Sequence, residues 1–362
     1  MKVILESSSL FFKNYTGIPN YIFNLYEGFS SIDEIEPILG FRIKKYFSSK
    51  TEFQKKLLEN KHLWHLGDQL FFNPKIDVVH SLHTPFLSHK KALKVATIHD
   101  LAVHLPQFEN YNFANDYFKK KRMFLFNQFY KKADVLIAVS ETTKRDYLSF
   151  FDFPEEKIHV VPLAPSVKTK DSNQLDAIVE LRKMKLKPQE YFISIGGISL
   201  RKNSFNLIKG FHQSNSIKNY KLVIVGKIES EFEQPIRDYI ANNNLKDDVI
   251  ITSYISESLL NILYCNAKAF LFPTFYEGFG IPILEAMQVK LPVLTSNTGA
   301  ASETANGFAI LVDPFDPIAI ANGIDKLESV SETTLKKAKN FANSHSWLRT
   351  AQMTAEVYKK YL

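Results

Sequence analysis

Short runs of apolar and β-branched residues recur along the chain, and each is followed by a longer stretch with apolar residues at helical spacing. Such runs are typical of parallel strands whose sheet is covered on both faces. In the first half the runs are KVILE (2–6), PILGFRI (37–43), DVVHSL (77–82), KVATIHD (94–100), VLIAVS (135–140) and HVVPLA (159–164). In the second half they are YFISIGG (191–197), KLVIVGK (221–227), VIITSYI (249–255), AFLFPT (269–274), PVLTSN (292–297) and FAILVDP (308–314). Because the alternation restarts after about 170 residues, the pattern predicts an α/β protein with two doubly wound, Rossmann-like domains.

The predicted boundary between the domains lies in the polar segment APSVKTKDSNQ, residues 164–174, which has no apolar periodicity. We therefore assign residues 1–168 to an N-terminal domain and residues 169–345 to a C-terminal domain. The last stretch, SWLRTAQMTAEVYKKYL (346–362), has the amphipathic spacing of a helix. A length of 362 residues suits two domains of ordinary size.

Composition indicates an ordinary soluble protein. Hydrophobic residues make up 45% of the chain and charged residues 23%. Cys265 is the single cysteine, so no disulfide framework is expected. No apolar run reaches the roughly 18 residues that span a bilayer, and the start MKVILESSSLFF lacks the apolar core of a signal peptide. We expect a cytoplasmic protein, or one that rests on a membrane from that side.

The positive charge is concentrated in the first half. Residues 1–170 carry 24 Lys and Arg against 18 Asp and Glu, so +6 of the formal net charge of +7 lies there. This excess favours an anionic partner or a lipid surface. Segment 115–135 interleaves basic and aromatic residues, as in an interfacial helix on anionic lipid or, equally, a packing helix with a basic exposed face. Nucleic acid is not an expected partner, because the chain has no zinc knuckle, RNA-recognition signature or basic tail.

A glycine turn between two carboxylates carries the strongest chemical signal. The stretch FYEGFGIPILEAM (275–287) follows an apolar run, and Pro282 suits the first position of a helix. The turn therefore leads to a helix N-terminus, whose N–H groups and dipole attract an anion. Gly278 and Gly280 have no Cβ and let a ligand approach the backbone closely. A phosphate or diphosphate is the natural occupant of such a turn.

The two glutamates beside this turn fit the rest of a nucleotide sugar. The pattern places Glu285 in the first turn of the helix, where a carboxylate can accept two hydrogen bonds from the diol of a ribose. Glu277, before the turn, would hold the hydroxyls of a second group. The residues alone leave open that Glu285 only complements the helix dipole and that Glu277 is a solvated loop residue.

The same stretch resembles the Glu-x7-Glu signature of the family-4 retaining glycosyltransferases, which have the GT-B fold. Its continuation, AMQVKLPVLTSNTGAASETA, is similar to the next segment of that family. The other matching segments are SLRKN (199–203), VIVGK (223–227), SYISESLL (253–260), TGIPNY (16–21), TIHDL (97–101) and ADVLIAVSE (133–141). The resemblance covers nearly the whole chain and is strongest over 190–315. It implies two Rossmann-like domains that face each other across a cleft, with a C-terminal helix that crosses back to the first domain.

The resemblance also implies roles for individual residues. The implied catalytic group is Glu277, His99, Lys202 and Arg201. The implied nucleotide-sugar-binding residues are Gly17, Gly226, Lys227, Tyr254, Ile255, Gly278, Phe279, Gly280, Ile281 and Glu285. Many family members carry an arginine where this chain has Gly197, and the sequence leaves open whether Arg201 replaces it. Glu303 resembles a further family glutamate, and it would equally suit the N-terminus of a helix.

Two adjacent cations would supply positive charge next to the predicted diphosphate leaving group. Arg201 and Lys202 follow the run 191–197, and such a pair can neutralise a diphosphate. The metal-binding pattern Asp-x-Asp does not occur in the chain. We therefore expect no metal ion and no other cofactor.

The implied activity is transfer of a sugar, with retention, from a nucleotide diphosphate sugar to a hydroxyl of a glycan or lipid-linked acceptor. Hexosyl transfer is expected, with mannosyl transfer among the candidates. The implied setting is surface polysaccharide or lipopolysaccharide assembly, with peripheral contact with anionic lipid at the cytoplasmic face of the inner membrane. The alternatives are a GT-B nucleotide-sugar epimerase, a non-catalytic sugar-binding relative and an NAD(P)-dependent oxidoreductase. For the last, ESSSLFFKNYTGIPN lacks the expected Gly-x-Gly-x-x-Gly.

Overall fold

The computed structural model describes residues 1–11, 17–45, 47, 51–66, 69–70, 75–83, 87, 89, 91–105, 116–128, 130–166 and 174–362. The described residues form two compact units. The first contains the residues up to Leu105, those of 116–164 and the C-terminal stretch His345–Leu362, and the second contains those of Pro165–Ser344. The chain changes unit between Ala164 and Pro165 and again between Ser344 and His345.

The first unit is built on one sheet. Its strands are β1 (Lys2–Glu6), β2 (Glu36–Arg42), β3 (His62–Leu66), β4 (Gln69–Leu70), β5 (Val78–Ser81), β6 (Leu93–Ile98), β7 (Val135–Ala138) and β8 (Ile158–Val160). The strand order is β4-β3-β2-β1-β5-β6-β7-β8, and only β3 and β4 pair antiparallel. Val3, Ile4 and Leu5 of β1 are completely buried, as expected for a central strand with both faces covered.

Four helices follow strands of this unit: α1 (Ile18–Ser30), α2 (Glu52–Leu57), α3 (Asp116–Gln128) and α4 (Glu141–Phe150). Helix α1 begins after Gly17 with a proline in its first turn, and it buries Ile22, Leu25 and Phe29 on one face. That spacing of three and four residues is the apolar stripe of a core-facing helix.

The second unit repeats the architecture with six parallel strands. They are β9 (Tyr191–Ile195), β10 (Lys221–Val225), β11 (Val249–Thr252), β12 (Ala269–Phe272), β13 (Val293–Ser296) and β14 (Ile310–Val312). Their order in the sheet is β11-β10-β9-β12-β13-β14. Strands β10 and β11 therefore lie on one side of β9, and β12, β13 and β14 lie on the other. The helices are α5 (Gln174–Lys183), α6 (Ser204–Gln213), α7 (Ser230–Asn242), α8 (Glu257–Asn266), α9 (Ile281–Gln288), α10 (Gly299–Ala305), α11 (Pro317–Asp325) and α12 (Glu332–Asn343). Ligands bind open sheets of this kind at the carboxyl ends of the strands, near the point at which the strand order changes side in this way.

The C-terminal helix α13 (Trp347–Tyr361) belongs to the first unit, where it packs on α1. Gly28 of α1 allows the close approach, because a Cβ there would lie 2.8 Å from both the Ala351 Cβ and the Trp347 carbonyl oxygen. The Thr350 hydroxyl donates a hydrogen bond of 2.8 Å to the carbonyl of Pro162. Helix α13 is therefore a packed part of the first unit.

Each of the twelve predicted runs overlaps an observed strand, and the predicted α/β class is confirmed. The sequence interpretation missed β3 and β4. Strand β3 reads HLWHL and is mostly half-buried, so it lacks the continuous apolar run of the central strands. Short 3-10 helices lie at Ser8–Phe11, Ile43–Lys45, Ala102–His104, Tyr130–Lys132, Glu155–Lys157, Asn215–Lys218 and Leu327–Ser329. Within the described ranges, no helix is long and apolar enough to cross a membrane.

Candidate active site

Two glycine turns at the carboxyl edge of the second sheet pack backbone against backbone. Gly197 follows β9 with a φ of +72°, and a Cβ there would lie 2.0 Å from the carbonyl oxygen of Lys227. Gly226 follows β10 with a φ of +133°, and its Cβ would lie 2.6 Å from the Gly197 nitrogen. The Ile198 N–H donates to the Lys227 carbonyl at 3.0 Å, and the Glu229 N–H donates to the Ile198 carbonyl at 2.9 Å. These contacts require glycine at positions 197 and 226, and they hold the two loops together beyond the ends of β9 and β10.

The turn after β9 carries Arg201 and Lys202 and is joined to the neighbouring strand. Asn203 adopts a left-handed conformation, with a φ of 57°, and is buried. Its amide nitrogen donates to the carbonyls of Pro273 and Pro314, at 2.8 and 2.6 Å. The Arg201 carbonyl accepts a hydrogen bond from the Phe275 N–H at 3.1 Å. Asn203, the residue before α6, therefore anchors the turn that carries Arg201 and Lys202.

Both cations converge on one carboxylate. The Lys202 Nζ lies 2.7 Å and the Arg201 Nη1 lies 2.9 Å from the same Oε1 of Glu277. The Arg201 guanidinium also donates to the Tyr276 carbonyl at 3.2 Å. Glu277 is only 8% exposed, whereas the side chain of Arg201 is 35% exposed. Arg201, four residues after Gly197, thus directs its guanidinium to the same carboxylate oxygen as Lys202.

Electrostatics keep the Glu277 carboxylate ionised. Burial alone would raise the pKa of Glu277, but the opposing charges of Arg201 and Lys202, with their hydrogen bonds, outweigh it and lower that pKa. Glu229 also interacts electrostatically with Arg201, so this guanidinium lies near a second carboxylate.

The glycine turn after β12 leads directly to the N-terminus of α9. Gly280 caps the helix with a φ of 102°, and Pro282 lies in the first turn, as the sequence predicts. The Glu277 carbonyl accepts a hydrogen bond of 3.1 Å from the Ala300 N–H. Gly299 permits this contact, since a Cβ there would lie 3.3 Å from the same carbonyl oxygen. The start of α10 therefore supports the turn that presents Glu277.

Glu285 lies deeper in α9 than the sequence interpretation placed it. It is the fifth residue of the helix, and the first turn contains no acidic residue, so the prediction of a first-turn carboxylate was wrong. Its Oε2 accepts a hydrogen bond of 3.1 Å from the Tyr264 hydroxyl, and its Oε1 accepts one of 3.2 Å from the Ser166 N–H. The helix begins at Ile281 because Gly280 is left-handed, and this shifts Glu285 to the second turn.

Tyr264 and Ser166 were not found by sequence reasoning. Tyr264 is completely buried, and burial together with the Glu285 charge holds the pKa of its hydroxyl well above the usual range. The hydroxyl therefore stays protonated and donates to the carboxylate. Because Tyr264 stands at an ordinary apolar position of α8, its sequence context contains no signal of this contact.

Four of the residues that the resemblance assigns to nucleotide-sugar binding follow two adjacent strands. Gly226 and Lys227 follow β10, and Tyr254 and Ile255 follow the neighbouring β11. Tyr254 is 53% exposed, so a large aromatic ring lies open at this edge. The observed turn and helix start contain Gly278, Phe279, Gly280 and Ile281 at the predicted places.

The remaining predicted site residues lie in the first unit. Gly17 is the N-cap of α1 with a φ of 56°, and the Tyr21 N–H donates to its carbonyl at 3.0 Å. His99 follows β6, and its Nε2 donates to the Leu82 carbonyl at 2.8 Å. The Tyr21 ring contacts the His99 ring edge-on, with 4.7 Å between centroids. Thr16 lies outside the described residues, as do the side chains of Lys119, Lys121 and Arg122 in the predicted basic helix.

The structure thus brings Arg201, Lys202 and Glu277 into one cluster, whereas Glu285 has different partners. Glu303 is exposed in α10 and does not lie in its first turn. In the part of the chain that the structure describes, no three His, Cys, Asp or Glu side chains form a group that could hold a metal ion.

Comparison with known proteins places this geometry in a class. The family model described as glycosyl transferases group 1 matches residues 180–344, which include the ionic cluster and the glycine turns. The model described as glycosyltransferase family 4 matches residues 31–164 of the first unit. The two units are those of a glycosyltransferase with the GT-B fold. The chain belongs to the family-4 glycosyltransferases.

Relatives and a solved structure agree with this assignment. The O-antigen chain mannosyltransferase B of Escherichia coli is 26% identical over 280 residues, which are 76% of this chain and 72% of that protein. The O-antigen chain mannosyltransferase RfbU of Salmonella typhimurium is 27% identical over 231 residues, 64% of this chain and 61% of that protein. The Anabaena HepE structure in complex with UDP and glucose covers 100% of this chain and 99% of its own, with a TM-score of 0.74 and 15% identity. The last match shows the shared fold.

Proposed function

We propose that this glycosyltransferase moves a sugar from a nucleotide diphosphate sugar to an acceptor hydroxyl, with retention at the anomeric carbon. The observation that carries the proposal is the convergence of Arg201 and Lys202 on the buried Glu277, beside the N-terminus of α9. Glu277 offers one negative charge to two cations, and Arg201 also interacts electrostatically with Glu229. A diphosphate supplies further negative charge to the two cations and matches the planar guanidinium and the helix dipole.

Each glutamate takes a different part of the donor. Glu277 stays ionised and accepts hydrogen bonds from hydroxyls of the transferred sugar, while Arg201 and Lys202 turn to the diphosphate. Glu285, oriented by the Tyr264 hydroxyl and the Ser166 N–H, accepts hydrogen bonds from the ribose diol. Gly226, Lys227, Tyr254 and Ile255 contact the base, which stacks on the exposed tyrosine ring.

The first unit contributes Gly17 and His99. Gly17 offers a backbone N–H at a helix start, where a phosphate oxygen is favoured. His99 contacts a hydroxyl of the donor sugar, with its ring held by the Leu82 carbonyl and the Tyr21 ring. Both roles follow from the resemblance to the family and from the local geometry of these residues.

The chemical step is a front-face displacement. The bond between the anomeric carbon and the phosphate oxygen breaks, and the acceptor oxygen bonds to the same face of that carbon. The acceptor proton passes to an oxygen of the departing phosphate. Arg201, Lys202 and the α9 N-terminus stabilise the charge that develops on the leaving group. These groups are the reason to expect transfer without a metal ion.

The names of the relatives support a setting in surface polysaccharide or lipopolysaccharide assembly, with a glycan or lipid-linked acceptor. Two O-antigen chain mannosyltransferases make mannose the first sugar to test, and the HepE complex makes UDP and glucose the second. The positive charge of residues 1–170 supports peripheral contact with an anionic cytoplasmic membrane face.

The test is a thermal-shift panel with UDP, GDP and ADP in excess EDTA, followed by the sugar nucleotides of the base that stabilises the protein. We expect one base to stabilise most, and glycosyl transfer to a polysaccharide-derived acceptor to proceed in EDTA. Strict dependence on magnesium or manganese would overturn the metal-free part of the proposal. Nucleotide release with a free epimerised sugar and no acceptor would indicate the epimerase, and stabilisation by NAD(P) alone would indicate the oxidoreductase.

A further inference from the structure

A continuous chain of buried polar groups crosses the first unit beneath His99. The Tyr358 hydroxyl lies 2.6 Å from Nδ1 of His80, and Nε2 of His80 lies 2.8 Å from the Thr97 hydroxyl. The Thr97 hydroxyl lies 3.0 Å from the Tyr21 hydroxyl. His80, Thr97 and Tyr358 are 0% exposed and Tyr21 is 3% exposed. The chain thus joins four elements, α13, β5, β6 and α1, without a charged group.

The groups of this chain are neutral, and each is hydrogen-bonded to the next. Burial, with the nearby His99 charge, lowers the pKa of His80 to about 3, so its ring is neutral and carries one proton. Burial also holds the pKa of Tyr358 well above its usual range, so its hydroxyl keeps its proton. If Tyr358 donates to Nδ1, then Nε2 carries the ring proton and donates to Thr97. In the other tautomer Nδ1 donates to the Tyr358 oxygen and Nε2 accepts from the Thr97 hydroxyl, so both ring nitrogens are hydrogen-bonded in either case.

Tyr21 is the end of the chain that bears on the proposed site. Its N–H donates to the carbonyl of Gly17 at 3.0 Å, so it closes the first turn of α1. Its ring lies 4.7 Å from the His99 ring. A displacement of the Tyr21 side chain therefore moves both the cap of α1 and the imidazole of His99.

We propose that His80 and Tyr358 are positioning residues, through which the C-terminal helix sets the first turn of α1 and the orientation of His99 for glycosyl transfer. Neither residue touches substrate. The role rests on the proposed function, because it assumes that Gly17 and His99 act on the donor. The buried hydrogen bonds make the arrangement specific, since each partner left unpaired carries a desolvation cost.

Helix α13 offers a matched control one turn away from Tyr358. The Tyr361 hydroxyl also pairs with a histidine, His159, at 3.0 Å, and donates to the Glu156 carbonyl at 3.0 Å. These partners lie in β8 and in the 3-10 helix Glu155–Lys157. Tyr358→Phe and Tyr361→Phe therefore delete the same atom from the same helix, but only the first interrupts the chain to Tyr21.

The first measurement needs no substrate. We expect hydrogen exchange of the amides in the first turns of α1 to become roughly ten times faster in Tyr358→Phe than in wild type, and to stay unchanged in Tyr361→Phe. A second pair tests the middle of the chain, because Thr97→Val removes the hydroxyl at nearly constant shape while Thr97→Ser keeps it. Valine should accelerate exchange in α1, and serine should largely restore protection.

The second measurement is turnover of the sugar nucleotide that the panel identifies, at a temperature where all variants are folded. We expect kcat of Tyr358→Phe to fall roughly tenfold at an unchanged KM for the donor, and Tyr361→Phe to match wild type. Equal exchange rates in α1 for both tyrosine variants would overturn the positioning role, whatever the activity. If exchange in α1 is faster in Tyr358→Phe but the wild type has no transferase activity, the result contradicts the proposed function instead.

Discussion

The two units carry polar side chains at the carboxyl edge of the same kind of sheet, but they stabilise them differently. In the second unit, Glu277 holds two cations on one oxygen and all three groups are ionised. In the first unit, His80 pairs with Tyr358 and Thr97, and the groups are neutral and fully buried. The ionic cluster is partly exposed at Arg201, whereas the neutral chain is buried in the protein. The first arrangement suits binding and the second suits the positioning of other groups.

The largest effect is expected from removing a cation of the second unit. Lys202→Ala should lower kcat by about 10²–10³, because a donor aimed at developing negative charge contributes that much to catalysis. Thermal stability should change little by comparison. Lys183→Ala is the control, since it removes an ion pair of 2.6 Å with Glu180 on an exposed face. Equal losses of turnover in both variants would contradict the role of Lys202.

The next effect concerns the ribose. Glu285→Ala should weaken binding of the preferred nucleoside diphosphate by about 1–3 kcal/mol, the cost of leaving hydrogen-bonding groups unpaired. Calorimetry on the full chain measures this affinity. Tyr264→Phe removes the hydroxyl that orients the carboxylate and should weaken binding by less. Unchanged affinity in Glu285→Ala would remove this residue from the nucleotide site.

The neutral chain of the first unit predicts a pH dependence of stability. The pKa of His80 is lowered to about 3 in the folded protein, against about 6.5 in an unfolded chain. The unfolded state therefore binds a proton that the folded state does not. The free energy of unfolding should fall as the pH drops below about 6.5, by about 1.4 kcal/mol per pH unit, until about pH 3.

The variant His80→Gln removes this titration. Urea unfolding should show a shallower loss of stability between about pH 7 and pH 5 in His80→Gln than in wild type. His159→Gln is the control, because burial also lowers the pKa of His159 but the residue is half-buried and the shift is smaller. If the free energy of unfolding changed with pH in the same way in wild type and in His80→Gln, His80 would not be the group that is neutral in the folded protein and protonated in the unfolded chain.

The smallest expected effect is an increase in affinity rather than a decrease. Glu277→Gln should tighten binding of a nucleoside diphosphate by about 1 kcal/mol, because it removes a negative charge next to the two cations. Transfer should nevertheless decrease, since the amide is a weaker acceptor for the sugar hydroxyls. Glu303→Gln, exposed on α10, is the control for a general change in net charge. Weaker binding in Glu277→Gln would mean that the carboxylate mainly holds Arg201 and Lys202 in position.

The ionised state of Glu277 has its own pH dependence. The pKa of this carboxyl is lowered in the folded protein, so the cluster contributes stability above the unfolded pKa of about 4.3. That contribution disappears as the pH falls through the lower folded value. Between about pH 5 and pH 8, protonation of Glu277 should therefore not change the free energy of unfolding, whereas protonation of His80 should.

Much of the fold is determined by the sequence itself. The alternation of apolar runs and amphipathic stretches predicted both sheets, because parallel strands buried on two faces need continuous apolar residues. It missed β3, whose two histidines and partial exposure at the side of the sheet give no such run. The glycine turn before α9 was predicted with its helix start, since glycine and proline there have direct conformational meanings.

Tertiary structure decided which groups meet. Glu277 and Lys202 are 75 residues apart, and His80 and Tyr358 are 278 residues apart. No local pattern encodes such pairs, because they depend on strand order and on the return of the last helix to the first unit. The sequence alone determined the elements, the glycine turns and the chemical kinds of side chain at the strand ends. The tertiary structure decided that Glu277 faces two cations, that Glu285 bonds a buried tyrosine, and that His80 links α13 to α1. The physical reason is that local conformation depends on neighbours in the chain, whereas burial, pKa and pairing depend on neighbours in space.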